Sequence, residues 1–182
     1  MRIGPVASAL TRALALAPTL AVLLASTTGA PLQPHAQTAA EEWRPFGGAW
    51  SATGRRHTMA TEGHRSASIV ELRGSVVLTN AAALGRGFHG EAIGFDDGSG
   101  ATVGRAVWTD GRGDQVFSVL GGEPVLTERH IVGTITGGTG VYAGLTGDYE
   151  LTWKFVVEEE DGTVHGQTVD LRGRVRRTGA SP

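Results

Sequence analysis

The sequence predicts an all-β domain, an eight-stranded antiparallel up-and-down barrel, on three observations. Beyond residue 43, short runs of β-branched and aromatic residues are punctuated by Gly and Asp, with no long helical period. Asp97-Gly98-Ser99-Gly100 and Asp110-Gly111-Arg112-Gly113-Asp114 are hairpin-turn sequences set between such runs. Tyr149, Leu151, Trp153, Phe155 and Val157 alternate strictly with Asp148, Glu150, Thr152 and Lys154. A strand with that period packs one face on apolar material and turns the other to water.

Trp50–His57 is the first strand, and Ser66–Thr79 is a long second strand with a bending point at Gly74. Gly87–Asp96 and Ala101–Thr109 flank the first turn, and Gln115–Leu120 follows the second. His130–Thr136 is the sixth strand and Asp148–Val157 the seventh. The acidic turn Glu158–Gly162 leads into Thr163–Arg176. On that last strand His165, Gln167, Val169, Leu171 and Val175 alternate with Thr168, Asp170, Arg172 and Arg174. Strands joined by tight turns suit a closed barrel, which leaves no exposed edge. A two-sheet sandwich fits the same pattern. The interior of an eight-stranded barrel is filled by side chains or holds one small ligand.

The first 36 residues are expected to lie outside this fold. Arg2 and Arg12 open the chain, Ala13–Ala25 is apolar apart from Pro18 and Thr19, and small residues follow at Ser26–Ala30. That order is a secretory signal peptide, and its apolar run falls short of the ~20 residues of a membrane span. The expected organisation is a signal peptide over 1–36, a flexible N-terminal segment over 37–46, a barrel over 47–177 and a short tail over 178–182. The processed protein is then periplasmic or extracellular, with no membrane span. The chain has no Cys, which excludes a lipidated leader cysteine, disulfides and thiolate metal sites. Of 16 Lys and Arg, loss of Arg2 and Arg12 leaves 14 against 18 Asp and Glu. A mildly acidic domain is a poor partner for nucleic acid or anionic lipid.

Between the sixth and seventh strands, Gly137 to Gly147 holds five glycines besides Thr139, Val141, Tyr142 and Leu145. The glycine density implies positive φ angles and close backbone approach. Val141, Tyr142 and Leu145 are placed to tuck under one barrel end as a plug. The spacing is not a dinucleotide fingerprint, and a strand follows where that motif needs a helix. No cofactor is expected. Gly138, Thr139, Gly140, Tyr142, Ala143, Gly144 and Gly147 match a G-T-G-x-[FY]-x-G-x-x-G loop. With the flanking "IVGTITGG" and "GDYELTW", this segment resembles the allene oxide cyclase barrel-like and dirigent-like proteins. The resemblance implies an eight-stranded antiparallel barrel, assembled as a homodimer or homotrimer. Plant members include a cyclase and proteins that steer radical coupling, but no catalytic residue of theirs carries over. Gly48-Ala49-Trp50 also resembles the G-x-W of lipocalins, a calycin barrel in which the Trp seals the closed end and Arg174 would stack on it.

Glu91 and Arg105 sit on neighbouring strands of the 97–100 hairpin. With a three-residue loop they share a face with Ile93, Phe95, Val103 and Val107, and with a four-residue loop they lie on opposite faces. A desolvated carboxylate paired with Arg could do acid–base work, whereas an exposed pair is a solvated face. Asp170 with Arg172 and Arg174 gives a second charged set, read as a polar network or a water-facing stripe. His57, His64, His89, His130 and His165 have no ligand spacing, so no metal site is expected. Ser99 lies in a hairpin turn rather than a nucleophile elbow, and Arg112-Gly113-Asp114 reads as turn chemistry before adhesion. Trp108, Phe117, Tyr149, Trp153 and Phe155 pack a core or, in an unfilled lumen, line an apolar ligand site.

These readings lead to an exported barrel that binds or shelters a small apolar molecule. The alternatives are an isomerase or cyclase, with Glu91 or Asp170 polarising a substrate, and a structural envelope protein that self-associates. A filled barrel would exclude the first two. A cavity holding an Arg-paired carboxylate would favour the enzyme.

Overall fold

A computed structural model describes residues 42–125 and 128–178. The expected leader and residues 179–182 of the expected tail lie outside them. The strands are β1 (Arg44–Ala60), β2 (Ser66–Thr79), β3 (Gly87–Asp96), β4 (Thr102–Asp110), β5 (Gln115–Val125), β6 (Glu128–Gly138), β7 (Leu145–Glu158) and β8 (Thr163–Arg177). Each pairs antiparallel with the next, and β8 pairs with β1 to close the barrel. β1 begins at Arg44, within the segment expected to be flexible. The cause is Phe46, which is buried and meets the Trp108 ring edge-on at 6.3 Å.

The inner face is close-packed around aromatic rings. Trp108 contacts Phe46, Phe88 and Tyr149, while Trp50 stacks on Trp153 at 4.9 Å. Rings this large fit because glycines stand beside them on neighbouring strands. A Cβ on Gly133 would lie 2.1 Å from the Tyr149 ring, and one on Gly166 would lie 2.3 Å from that of Trp153. Large beside small fills an eight-stranded lumen without stretching its backbone.

The β1–β8 seam is irregular. Gly48 pairs with Leu171 and Ser51 with Gln167, so Thr168, Val169 and Asp170 face only Ala49 and Trp50. Asp170 takes up the extra residue with φ 59, a left-handed conformation that Asp tolerates better than most side chains. The Trp50 backbone N–H donates to Thr168 Oγ1 at 2.8 Å in place of a ladder bond. This bulge corrects the alternation expected for the last strand. Val164 and Gly166 are buried before it and Leu171 and Val175 after it, a change of phase that strict alternation cannot contain.

One barrel end is plugged. Tyr142 and Leu145 are buried there, as the loop sequence implied, but Val141 is half exposed. The Tyr142 hydroxyl accepts from the Gly85 N–H at 3.3 Å and donates to Asp110 Oδ2 at 3.1 Å. Asp114 Oδ2 accepts from the Val141 N–H, and Thr139 and Gln115 exchange two hydrogen bonds. Gly140 has φ 50, and a Cβ there would strike Asp114 Oδ1 at 1.9 Å. The Arg112-Gly113-Asp114 turn is thus clamped to the glycine loop.

Candidate functional site

The other barrel end opens into the lumen. The site forms where β2, β3, β4, β5, β6 and β7 present short or apolar side chains inward above the Trp50–Trp153 floor. On β3, β4 and β5 the inward residues include Gly94, Gly104 and Gly122. Gly94 faces Gly104 directly across the ladder, and Gly122 faces Thr102 one rung away. Three neighbouring strands thereby withhold side chains from one patch of wall, leaving a cavity of ≈ 60 Å³ that opens to solvent. The remaining wall is apolar, chiefly Val70, Leu72, Leu120, Ile131 and Phe155. A second void of ≈ 20 Å³ lies deeper, between Trp50, Trp108, Tyr149 and Leu171.

The mouth carries two ion pairs. Arg129 reaches Asp96 Oδ2 at 2.5 Å and donates to Thr102 Oγ1 at 2.8 Å. Asp96 Oδ1 accepts the Gly98 N–H at 2.8 Å, so both its oxygens are engaged. The Asp96 side chain is only 14% exposed. Arg56 pairs with Glu158 at 2.7 Å and lies 4.2 Å over the Phe155 ring. Each mouth guanidinium is therefore matched by a carboxylate.

Glu91 and Arg105 do share a face, because Phe95 pairs with Val103, but it is the outer face. Glu91 is exposed and pairs with Arg73 at 3.1 Å rather than with Arg105. Asp170 is exposed at the bulge, while Arg172 and Arg174 pair with Glu150 and Asp148 on β7. Glu150 is held below the usual carboxylate range, first by the hydrogen bond from Arg172 and then by that from His130. Arg174 lies over Trp43 at 4.6 Å and not over Trp50. Of the expected ligand-lining aromatics, Trp153 and Phe155 line the open cavity, whereas Trp108 and Tyr149 do not reach it and border the deeper void. Phe117 alternates with buried Val116 and Ser118 and lies on the outer face, away from both.

Sequence reasoning missed Asp96, Thr102, Arg129 and Arg56. Asp96 was legible through Phe88, which alternates in phase with it along β3. The Arg129 contact spans 33 residues, a closure that no local pattern announces.

No protein-family model matches the chain, and no curated protein matches it. Among solved structures it is similar to the pterocarpan synthase dirigent protein GePTS1. The identity is 12% and the TM-score 0.43, over 80% of this chain and 91% of that one.

Proposed function

We propose that this chain is an exported binding barrel that shelters a small apolar molecule in the open end of its lumen. The observation that carries the reading is the cavity itself, apolar-walled, floored by two indoles and kept open by inward glycines on three adjacent strands. Pockets of this composition hold ligands by apolar burial, with a few polar groups for orientation. Its ≈ 60 Å³ is well below the ~150 Å³ of a cavity that admits benzene, so the occupant reaches in with one end and leaves the rest at the mouth.

Gly94 provides the test. A Cβ there meets Val70 Cγ1 at 3.4 Å and Thr102 Cγ2 at 3.7 Å, ordinary contacts that a larger side chain extends into the cavity. The neutral probe N-phenyl-1-naphthylamine is expected to bind and to quench the floor tryptophans. Gly94→Val is expected to lower that affinity by about tenfold or more, the loss of roughly 1.4 kcal/mol of apolar contact, with an unchanged circular dichroism spectrum. No response from wild type, together with no apolar adduct in native mass spectrometry of protein from its own host, defeats the reading.

An isomerase or cyclase is the second reading, and the Arg129-paired Asp96 inside the cavity favours it. Binding ranks first because both Asp96 oxygens are already engaged, so the carboxylate would act only after a substrate displaced Arg129. A bound molecule recovered chromatographically unchanged supports the carrier. Conversion that is lost in Asp96→Asn supports the enzyme.

A further inference from the structure

The outer face of the barrel is divided in a way that the lumen does not explain. One rung of cross-strand partners runs His57, Ile69, Phe95, Val103, Gly121, Val132, Glu150, Arg172 around the barrel. Its middle is apolar and exposed: Ile69 by 46%, Phe95 by 45%, Val103 by 58% and Val132 by 45%. The next rung runs Glu71, Ile93, Arg105, Val119, and the third Arg73, Glu91, Val107, Phe117. Ile93 is 53% exposed. A contiguous apolar patch of this kind marks an interaction site on a soluble protein. Lipid on all sides does not fit, because a membrane barrel needs its apolar band around the whole circumference and this one ends in charge at β1, β7 and β8.

The charges inside the patch specify what covers it. Glu71 and Glu91 share one guanidinium, that of Arg73, at 2.6 and 3.1 Å. Arg105 has no carboxylate partner among the described residues; its guanidinium donates to the Gly104 carbonyl at 2.9 Å. Glu91 pairs across the ladder with Val107, and Arg105 with Ile93, so the four form a quadrilateral with Glu91 and Arg105 at opposite corners. Surplus negative and surplus positive charge thus lie diagonally across an apolar centre.

We propose that this face binds a second copy of the chain about a two-fold axis lying in the interface. The axis crosses the Glu91–Arg105 diagonal at right angles and runs close to the line from Ile93 to Val107. Rotation about it brings Arg105 of each copy to Glu91 of the other and sets Ile93 against its own copy. Such an isologous contact is self-complementary by construction. It buries an Arg among apolar side chains, the composition of interface centres. Two convex sheet faces meet with strands crossing steeply, so the contact is modest in area and the dimer concentration-dependent.

Sedimentation velocity of the purified protein over a concentration series tests this. Wild type is expected to shift from monomer to dimer as concentration rises. Arg105→Glu and Glu91→Arg are each expected to weaken self-association by at least about tenfold, because like charges then meet. An equimolar mixture of the two variants is expected to dimerise again, since every cross-copy contact then joins opposite signs. In a chain without cysteine, Ile93→Cys is expected to oxidise to a covalent dimer, and Val132→Cys is not. Wild type that stays monomeric at all soluble concentrations overturns the proposal, as does a trimer. So does a mixture no more associated than its components. Monomer that floats with phosphatidylcholine vesicles assigns the face to lipid and also overturns it.

Discussion

At the scale of single residues, Asp110 opens the turn that clamps the glycine loop. Burial pushes its carboxyl up, but hydrogen bonds from the Arg112 side chain, the Arg112 and Asp114 N–H groups and Tyr142 outweigh this, bringing it from 3.8 down to about 2. A depressed carboxylate contributes stability that is complete above its unfolded value and is lost as pH falls through its folded one. Thermal melts are therefore expected to lose stability between pH 4 and pH 2, and Asp110→Asn to flatten that acid limb while lowering stability at neutral pH. An unaltered limb would show that the carboxylate is not the group responsible. Asp110 was legible in the sequence as a turn residue. Its bond to Tyr142, 32 residues away, was not, because turn chemistry is local and this contact exists only once the barrel closes.

At the scale of elements, the glycine loop and the 110–114 hairpin act as one plug. Tyr142→Phe keeps the ring and removes the hydroxyl that joins Gly85 to Asp110. It is expected to cost about 1 kcal/mol in urea unfolding, since the half-buried Gly85 N–H loses its acceptor while Asp110 Oδ2 keeps its bonds from Arg112. A loss near zero would mean that water replaces the hydroxyl. β2 and β3 were legible to the residue, because β-branched runs bounded by turn residues define their ends. β1 and β5 run further than their local pattern. Phe46 extends β1 because its partner Trp108 lies across the barrel, and such support has no signature within the strand. The bulge at Asp170 was hidden for a related reason: one inserted residue reverses inside and outside without changing composition.

At the scale of the whole molecule, the closed sheet commits the core to stay dry. Burial pushes the Tyr149 hydroxyl from 10.0 up to about 12, with the ring held between Trp108 and Gly133. A phenol that must stay neutral contributes stability that is complete below pH 10 and is lost as pH rises through 12. Phenolate absorbance is expected to rise in the same steep alkaline step as the loss of circular dichroism, and to do so later in Tyr149→Phe. Gradual ionisation in folded protein would mean that solvent reaches the ring. Eight strands and their order were legible because tight turns force neighbours to pair. Alternation alone leaves a sandwich open; the tight turns and the glycine loop favour a closed barrel, and the β8–β1 pairing closes it. The site was least legible. Asp96 shares the phase of Phe88 along β3, but its partner Arg129 stands 33 residues away, a contact that no local alternation announces.

Gly94, Gly104 and Gly122 give the open lumen its volume by what they lack. One base change turns a glycine codon into one for alanine or valine, and at Gly94 the extra carbon meets only ordinary contacts. At that one position the pocket can therefore be resized in a single mutational step while the frame stays intact, whereas a Cβ on Gly104 would strike the Ile93 carbonyl at 2.5 Å. A change of volume at one end of the lumen thus leaves the aromatic core and the closed ladder untouched.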